Sequence, residues 1–240
     1  MATRSPAGST ALLLILSGAL ACGGDLLLPD PPGGSDNVVL SKVDGDNQVG
    51  VVGEALEQPL VVQVMTVRQL PAIGKEVEFA FTSTAGAVTP AKAITNSEGK
   101  ATASWVLGPE PGPQTVVAQL AVGDSAPQTQ EFTAEAKPAA PDTVSAKSPT
   151  SQPGRRGHKV GTQPVVQVVD RFGNPVPDVP VAWQVITGEG KVSEAITRTQ
   201  ADGTTTVEWT LGNRVGVQRL TAAVGPINGS PVTFTATVLF

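Results

Sequence analysis

Apolar and polar side chains alternate one for one along much of the chain. Val207, Trp209 and Leu211 alternate with Glu208 and Thr210, and Val181, Trp183 and Val185 with Ala182 and Gln184. Val232, Phe234, Ala236 and Val238 are separated by threonines. A period of two puts the apolar set on one face of an extended strand, and Val, Thr and aromatic residues favour that pleated surface. Turn-forming stretches punctuate the runs: Phe172-Gly173-Asn174-Pro175, Ala201-Asp202-Gly203 and Pro226-Ile227-Asn228-Gly229. About seven short strands per hundred residues, at roughly 8–12-residue intervals, predict antiparallel sandwiches rather than βαβ crossovers. No window shows helical periodicity.

The same unit is written twice. At an offset of 104 positions, Val61-Val62-Gln63-Val64 falls on Val165-Val166-Gln167-Val168, and Trp105-Val106-Leu107-Gly108 on Trp209-Thr210-Leu211-Gly212. Gly99 meets Gly203, Gln114 meets Gln218 and Phe79 meets Trp183; near the end the offset slips to 102, pairing Phe132-Thr133-Ala134 with Phe234-Thr235-Ala236. A period near one hundred residues is too long for a solenoid and fits whole tandem domains. The proline-stiffened stretch Lys137-Pro138-Ala139-Ala140-Pro141-Asp142 lies between the copies.

The N-terminus reads differently. Arg4 precedes the apolar run Ala11-Leu12-Leu13-Leu14-Ile15-Leu16, which leads through small residues to Ala19-Leu20-Ala21-Cys22. This run is about half the roughly 20 residues that a membrane-spanning helix needs, and its flanks are those of a secretory signal peptide. Cys22 is the sole cysteine and sits where cleavage falls. The stretch resembles the lipobox of bacterial lipoproteins, with leucine one place later than usual, and the resemblance implies acylation of Cys22. The following GGDLLLPDPPGGSDN is dense in glycine and proline and reads as a tether.

Composition narrows the chemistry. Sixteen basic against 21 acidic residues give a net charge of −5, the wrong balance for a sequence-independent phosphate grip on nucleic acid. One histidine, one cysteine and no tyrosine leave little material for acid–base, metal or disulfide chemistry.

Copy two carries a family resemblance. Asp170-Arg171-Phe172-Gly173-Asn174-Pro175-Val176-Pro177-Asp178-Val179-Pro180-Val181-Ala182-Trp183 and Thr199-Gln200-Ala201-Asp202-Gly203 resemble motifs of bacterial immunoglobulin-like domains of the intimin/invasin group. Copy one keeps Thr95-Asn96-Ser97-Glu98-Gly99 but has Val67-Arg68-Gln69-Leu70-Pro71 in place of the Gly-Asn stretch, so a different turn is expected there. The resemblance implies stalk, spacer or binding-tip roles without choosing among them.

Candidate sites have ordinary readings beside them. His158, in Pro153-Gly154-Arg155-Arg156-Gly157-His158-Lys159, belongs to a small anion-binding or partner patch, or simply to a solvated loop. Asp44-Gly45-Asp46-Asn47 fails as an EF-hand because Val49 and Ala55 occupy the positions that need glycine and glutamate. Asp142 with Asp44 and Asp46 remains a candidate interdomain cation clamp, against the reading of ordinary turn aspartates. Trp105, Trp183 and Trp209 fall on the apolar phase of strands, which favours core packing over a sugar-stacking platform. Asn228-Gly229-Ser230 matches a glycosylation sequon but equally a hairpin turn.

These readings predict two tandem immunoglobulin-like antiparallel β-sandwiches. A signal peptide covers residues 1–21 and a tether 22–37; the sandwiches cover 38–136 and 143–240, joined by a linker at 137–142. The expected function is a non-catalytic, lipid-anchored cell-envelope spacer or adhesion module, with a carbohydrate- or peptidoglycan-binding module as the alternative. Exposure of the tryptophans discriminates between them. No cofactor, metal or nucleic acid is expected; the partners are the membrane, through the lipid on Cys22, and a protein or glycan. The expected location is the outer membrane, on its periplasmic face or at the cell surface. The pair is expected to be elongated, with the first sandwich nearer the membrane and the second, which carries the Gly-Asn-Pro turn and the Arg155-Arg156 loop, farther out and better placed to meet a partner.

Overall fold

The computed structural model describes residues 38–81 and 86–239. In the N-terminal half the strands are β1 (Val38–Asp44), β2 (Gln48–Val51), β3 (Leu60–Thr66), β4 (Glu76–Phe81), β5 (Gly86–Thr89), β6 (Lys92–Ile94), β7 (Lys100–Leu107), β8 (Gly112–Val122) and β9 (Ser125–Lys137). The C-terminal half has β10 (Pro141–Ala146), β11 (Ser151–Gly154), β12 (Val165–Asp170), β13 (Pro180–Thr187), β14 (Lys191–Val192), β15 (Ile196–Arg198), β16 (Thr204–Thr206), β17 (Trp209–Thr210), β18 (Gly216–Ala223) and β19 (Val232–Val238). No helix occurs among the described residues.

Two sheets face each other in the N-terminal half, ordered β1-β3-β7-β5 and β2-β9-β8-β4-β6. The corresponding sheets of the C-terminal half are β10-β12-β16 and β11-β19-β18-β13-β15, with β14-β17 as a separate short pair. The alternation in the sequence sets what is buried. In β7 the side chains of Ala101, Ala103, Trp105 and Leu107 point into a core with Leu60, Phe79, Leu120 and Phe132. A second core holds Trp183, Trp209, Leu211, Leu220 and Phe234. At about 25 cal/mol per Å² of apolar surface, these aromatic and leucine side chains supply most of the driving force.

The ladders are not purely antiparallel, as the sequence had led one to expect. β2 runs parallel to β9, and β11 parallel to β19. The first segment of each half pairs in one sheet and then crosses to the other, where it lies beside the last strand in the same direction. Asp44-Gly45-Asp46-Asn47 makes the first crossing. Gly45 takes φ +87°, and a Cβ there would sit 2.8 Å from the Pro59 carbonyl carbon, so only glycine fits.

Strands also outnumber the seven expected per half. The crossings add β2 and β11, and the counterpart of β7 is split into β16 and β17. The ladder to β12 ends at Val165↔Thr206, next to Pro164, which has no N–H to continue it; at the start of β17 the Trp209 N–H donates to the side-chain oxygen of Gln163 (2.8 Å).

Candidate functional site: the joint and the distal loops

The Thr-x-x-Asp/Glu-Gly motif has a local physical cause. In both halves its glycine has positive φ, and a Cβ would lie 2.5 Å from a strand carbonyl, that of Val64 or Val168. Its threonine is buried and stitches the neighbouring loop. Thr95 Oγ1 donates to Ala72 O (2.6 Å) and accepts from Lys75 N (2.8 Å). Thr199 Oγ1 does the same with Val176 O (2.7 Å) and Val179 N (2.8 Å).

Asp170 organises the next turn. Its carboxylate is 2% exposed and accepts from Phe172 N, Asn174 N and Asn174 Nδ2 at 2.9, 2.9 and 3.0 Å. A fourth bond comes from Ala139 N at 2.9 Å, so the carboxylate also holds the segment between β9 and β10. Burial pushes its pKa up, but the Asn174 side chain and the Ala139, Asn174 and Phe172 N–H groups outweigh that, and it lies below its ordinary value.

This turn rests on the N-terminal half. The Phe172 ring lies so close to Gly53 that a Cβ there would meet ring carbon Cζ at 2.5 Å, and the Arg171 guanidinium covers the ring at 4.7 Å. Asn174 Nδ2 also donates to Pro109 O (2.7 Å). The Gly-Asn-Pro turn, expected among the partner-facing features of the second half, is instead part of the joint. Its glycine takes a left-handed φ of +86°, the close approach comes from Phe172 on Gly53, and its asparagine bridges to Pro109 O.

The matching turn of the N-terminal half was expected to differ. It does not. Thr66 N donates to Leu70 O (2.8 Å) and Gln69 N to Thr66 O (2.9 Å), as Asp170 N does to Asn174 O (2.9 Å) and Gly173 N to Asp170 O (3.0 Å). Gln69 adopts φ +62° where copy two has Gly173 at +86°. The hydrogen-bond frame imposes the left-handed conformation on a residue that pays for it in strain.

Sheet register puts the Arg155–His158 loop at the end of the C-terminal half away from the joint. β18 meets β19 at Gly216↔Val238 on that side and at Ala222↔Val232 on the other, and Gly154 pairs with Val238. His158 and both arginines are exposed. The loop is tied down by its backbone, with Leu211 N donating to His158 O (3.0 Å). Beside it, Gln218 is buried: its Oε1 accepts from Gly212 N (2.8 Å), and its Nε2 donates to Gly212 O (3.1 Å) and Arg214 O (2.9 Å). Gln114 clamps Gly108 N and Glu110 O at 2.8 Å each in the other half. The sequence alignment of the copies paired these glutamines, but nothing about a lone Gln in a strand announced a loop clamp.

All three tryptophans are buried, so they form no stacking platform. Trp183 Nε1 donates to Thr197 Oγ1 (2.8 Å), while the indole N–H groups of Trp105 and Trp209 have no partner. The cation clamp is likewise not assembled. Asp46 pairs with Lys42 and accepts from Thr133 N (2.9 Å), and Asp142 accepts from Thr143 Oγ1 (2.8 Å). Asn228 of the sequon is a turn residue whose carbonyl accepts from Val144 N (2.9 Å). Among the described residues no three His, Cys, Asp or Glu converge to hold a metal, and the buried Thr95, Asp170, Thr199 and Gln218 are engaged with turns and backbone. Cys22, the signal peptide and the tether lie outside the described residues.

No family model and no curated protein matches the chain. Among solved structures it is similar to the Escherichia coli adhesin FdeC, at 18% identity and a TM-score of 0.55, over 85% of this chain and 64% of that one. The fold is an immunoglobulin-like β-sandwich. The Yersinia pseudotuberculosis adhesin InvE matches at 19% identity and TM-score 0.41, over 87% of this chain and 62% of its own length. InvD from the same organism matches at 16% and 0.48, over 85% and 58%. The chain thus spans under two thirds of these proteins. At 18% identity the likeness to FdeC speaks for the fold alone.

Proposed function

We propose that the protein is a non-catalytic, lipid-anchored spacer of the cell envelope that holds an adhesion surface away from the membrane. The observation that carries this reading is the joint. Asp170 binds the connecting segment through Ala139 N, while Phe172 and Asn174 of the same turn rest on Gly53 and Pro109. A joint fixed from both sides suits a stiff spacer and has no use in a freely tumbling pair. In this reading residues 38–136 and 143–240 are tandem immunoglobulin-like domains, and 137–142 is the linker. The 22–37 tether ends in a lipid on Cys22, so the first domain stands nearer the membrane. That FdeC is described as an adhesin agrees with the reading. The outer membrane is the proposed location.

Mass spectrometry of the mature N-terminus tests the anchor. Cleavage between Ala21 and Cys22 with acyl mass on Cys22 is expected; more than one chain is needed for stable anchoring. An unmodified Cys22, or cleavage elsewhere, removes the anchor from the account.

A further inference from the structure

The two halves diverge at one place with chemical meaning. The backbone frame equates Gly50 with Gly154, since each lies against the leucine 57 residues on, Leu107 or Leu211. It equates Leu56 with Val160 through the bonds Leu56 N to Trp105 O (2.8 Å) and Val160 N to Trp209 O (3.0 Å). Between these markers the first half has Val51, Val52, Glu54 and Ala55. The second has Arg155, Arg156, His158 and Lys159. In the N-terminal half Val52 is buried, and neighbouring Gly53 receives Phe172 at the joint. In the C-terminal half the same position of the fold is exposed and basic, in a chain whose net charge is −5.

That basic end is concave. An open hollow of about 810 Å³ is lined by Arg155, Arg156, His158 and Lys159, with Pro153 and Leu239 as apolar walls. A second hollow of about 480 Å³ shares His158 and Lys159 and continues to Lys191. The two form a track rather than a single cup. Lys159 pairs with Glu208 (2.6 Å) and Arg214 with Glu189 (3.5 Å). Among the described residues Arg155, Arg156 and Lys191 take part in no ion pair.

We infer that this track binds an acidic polysaccharide, a linear glycan bearing carboxylate or sulfate groups. Guanidinium groups match both anions with paired N–H donors, and cations spaced along a track suit a repeating charge better than one ion. The exposed Leu239 and Pro153 offer apolar walls to the C–H faces of sugar rings. No aromatic side chain lines either hollow, and that counts against single-stranded nucleic acid, whose bases stack on aromatics. The inference deepens the adhesion part of the proposed function and rests on it for access to a partner, but not on the lipid or on the stiffness of the joint.

The test is binding of the full chain in detergent micelles to immobilised polygalacturonate, heparin, polyglutamate and neutral dextran, at about 0.05 M and about 0.5 M salt. Binding to at least one acidic glycan, lost at high salt and absent on dextran, is expected. The double substitution Arg155→Gln/Arg156→Gln should weaken it at least about tenfold, a loss of about 1.4 kcal/mol. Lys191→Ala should weaken it less, and Arg68→Ala, in the other half, should leave it unchanged. Circular dichroism confirms that each variant is folded; if the double variant is not, Lys191→Ala decides. Binding no stronger than to dextran, binding indifferent to these basic residues, or tighter binding to polyglutamate than to either glycan would overturn the inference. Any of these leaves the spacer reading standing, because scattering tests that separately.

Discussion

Asp170→Ala removes the acceptor on which the joint converges. Four hydrogen bonds of 2.9–3.0 Å end on this carboxylate. The Ala139 N–H is buried and has no other partner to turn to, which costs about 1–3 kcal/mol. The three donors from Phe172 and Asn174 lie in a part-exposed turn where water replaces the carboxylate, so each loses only a net bond of about 0.5–1.5 kcal/mol. Allowing for non-additivity within one network, the expected loss is about 3–5 kcal/mol, a large share of a typical stability of about 5–15. Urea unfolding followed by tryptophan emission measures it. The same carboxylate gives a pH signature. Its folded pKa lies below the unfolded value, because the Asn174, Ala139 and Phe172 donors outweigh burial. Its contribution is therefore complete above the unfolded pKa of about 3.9 and is lost as pH falls through the lower folded value. Asp170→Ala should flatten that part of the acid limb; Asp46, Glu98 and Asp202, also lowered, should keep the remainder. A loss below about 1 kcal/mol, or an unchanged acid limb, would refute the reasoning that Asp170 holds the joint.

Trp105→Ala and Trp209→Ala should each cost about 3–5 kcal/mol in urea unfolding, since both side chains are fully buried. A mild effect from either would mean that its core is not packed as described. Gln69→Gly should stabilise the N-terminal half by about 1 kcal/mol in thermal unfolding, because it relieves a left-handed conformation at φ +62°. A destabilised variant would show that the Gln69 side chain contributes more than its backbone costs. Gln218→Ala should destabilise more than Gln114→Ala, as it strands three bonds in a buried site against two in a half-exposed one. Equal losses would remove burial as the reason.

The β architecture was legible because period-two alternation maps directly onto pleated faces. Val207, Trp209 and Leu211 read as inward and are inward. The repeat offset likewise carried matched turns onto each other, down to Gly99 and Gly203. The parallel pairings were hidden, because alternation fixes a strand's face but not its direction or neighbour. The Gln69 turn was misread for a related reason: residue preference alone argued for another conformation, while the Thr66–Leu70 hydrogen-bond frame decided it. Asp170 showed only as part of a motif, since its bond to Ala139 spans 31 residues and leaves no local signal. The basic end was visible as Arg155-Arg156 in the sequence, but its contrast with Val51 and Val52 became meaningful only once the two backbones were matched.

Small-angle scattering on a chain of residues 38–240 tests the spacer most directly. β9 alone, with 13 residues at about 3.3 Å each, runs about 43 Å, so two domains joined end to end reach roughly 80 Å. The account predicts a rod of about that maximum dimension, the same at low and high salt. A compact particle nearer 45 Å, or a broad distribution of lengths, would contradict a fixed end-to-end joint and with it the spacer.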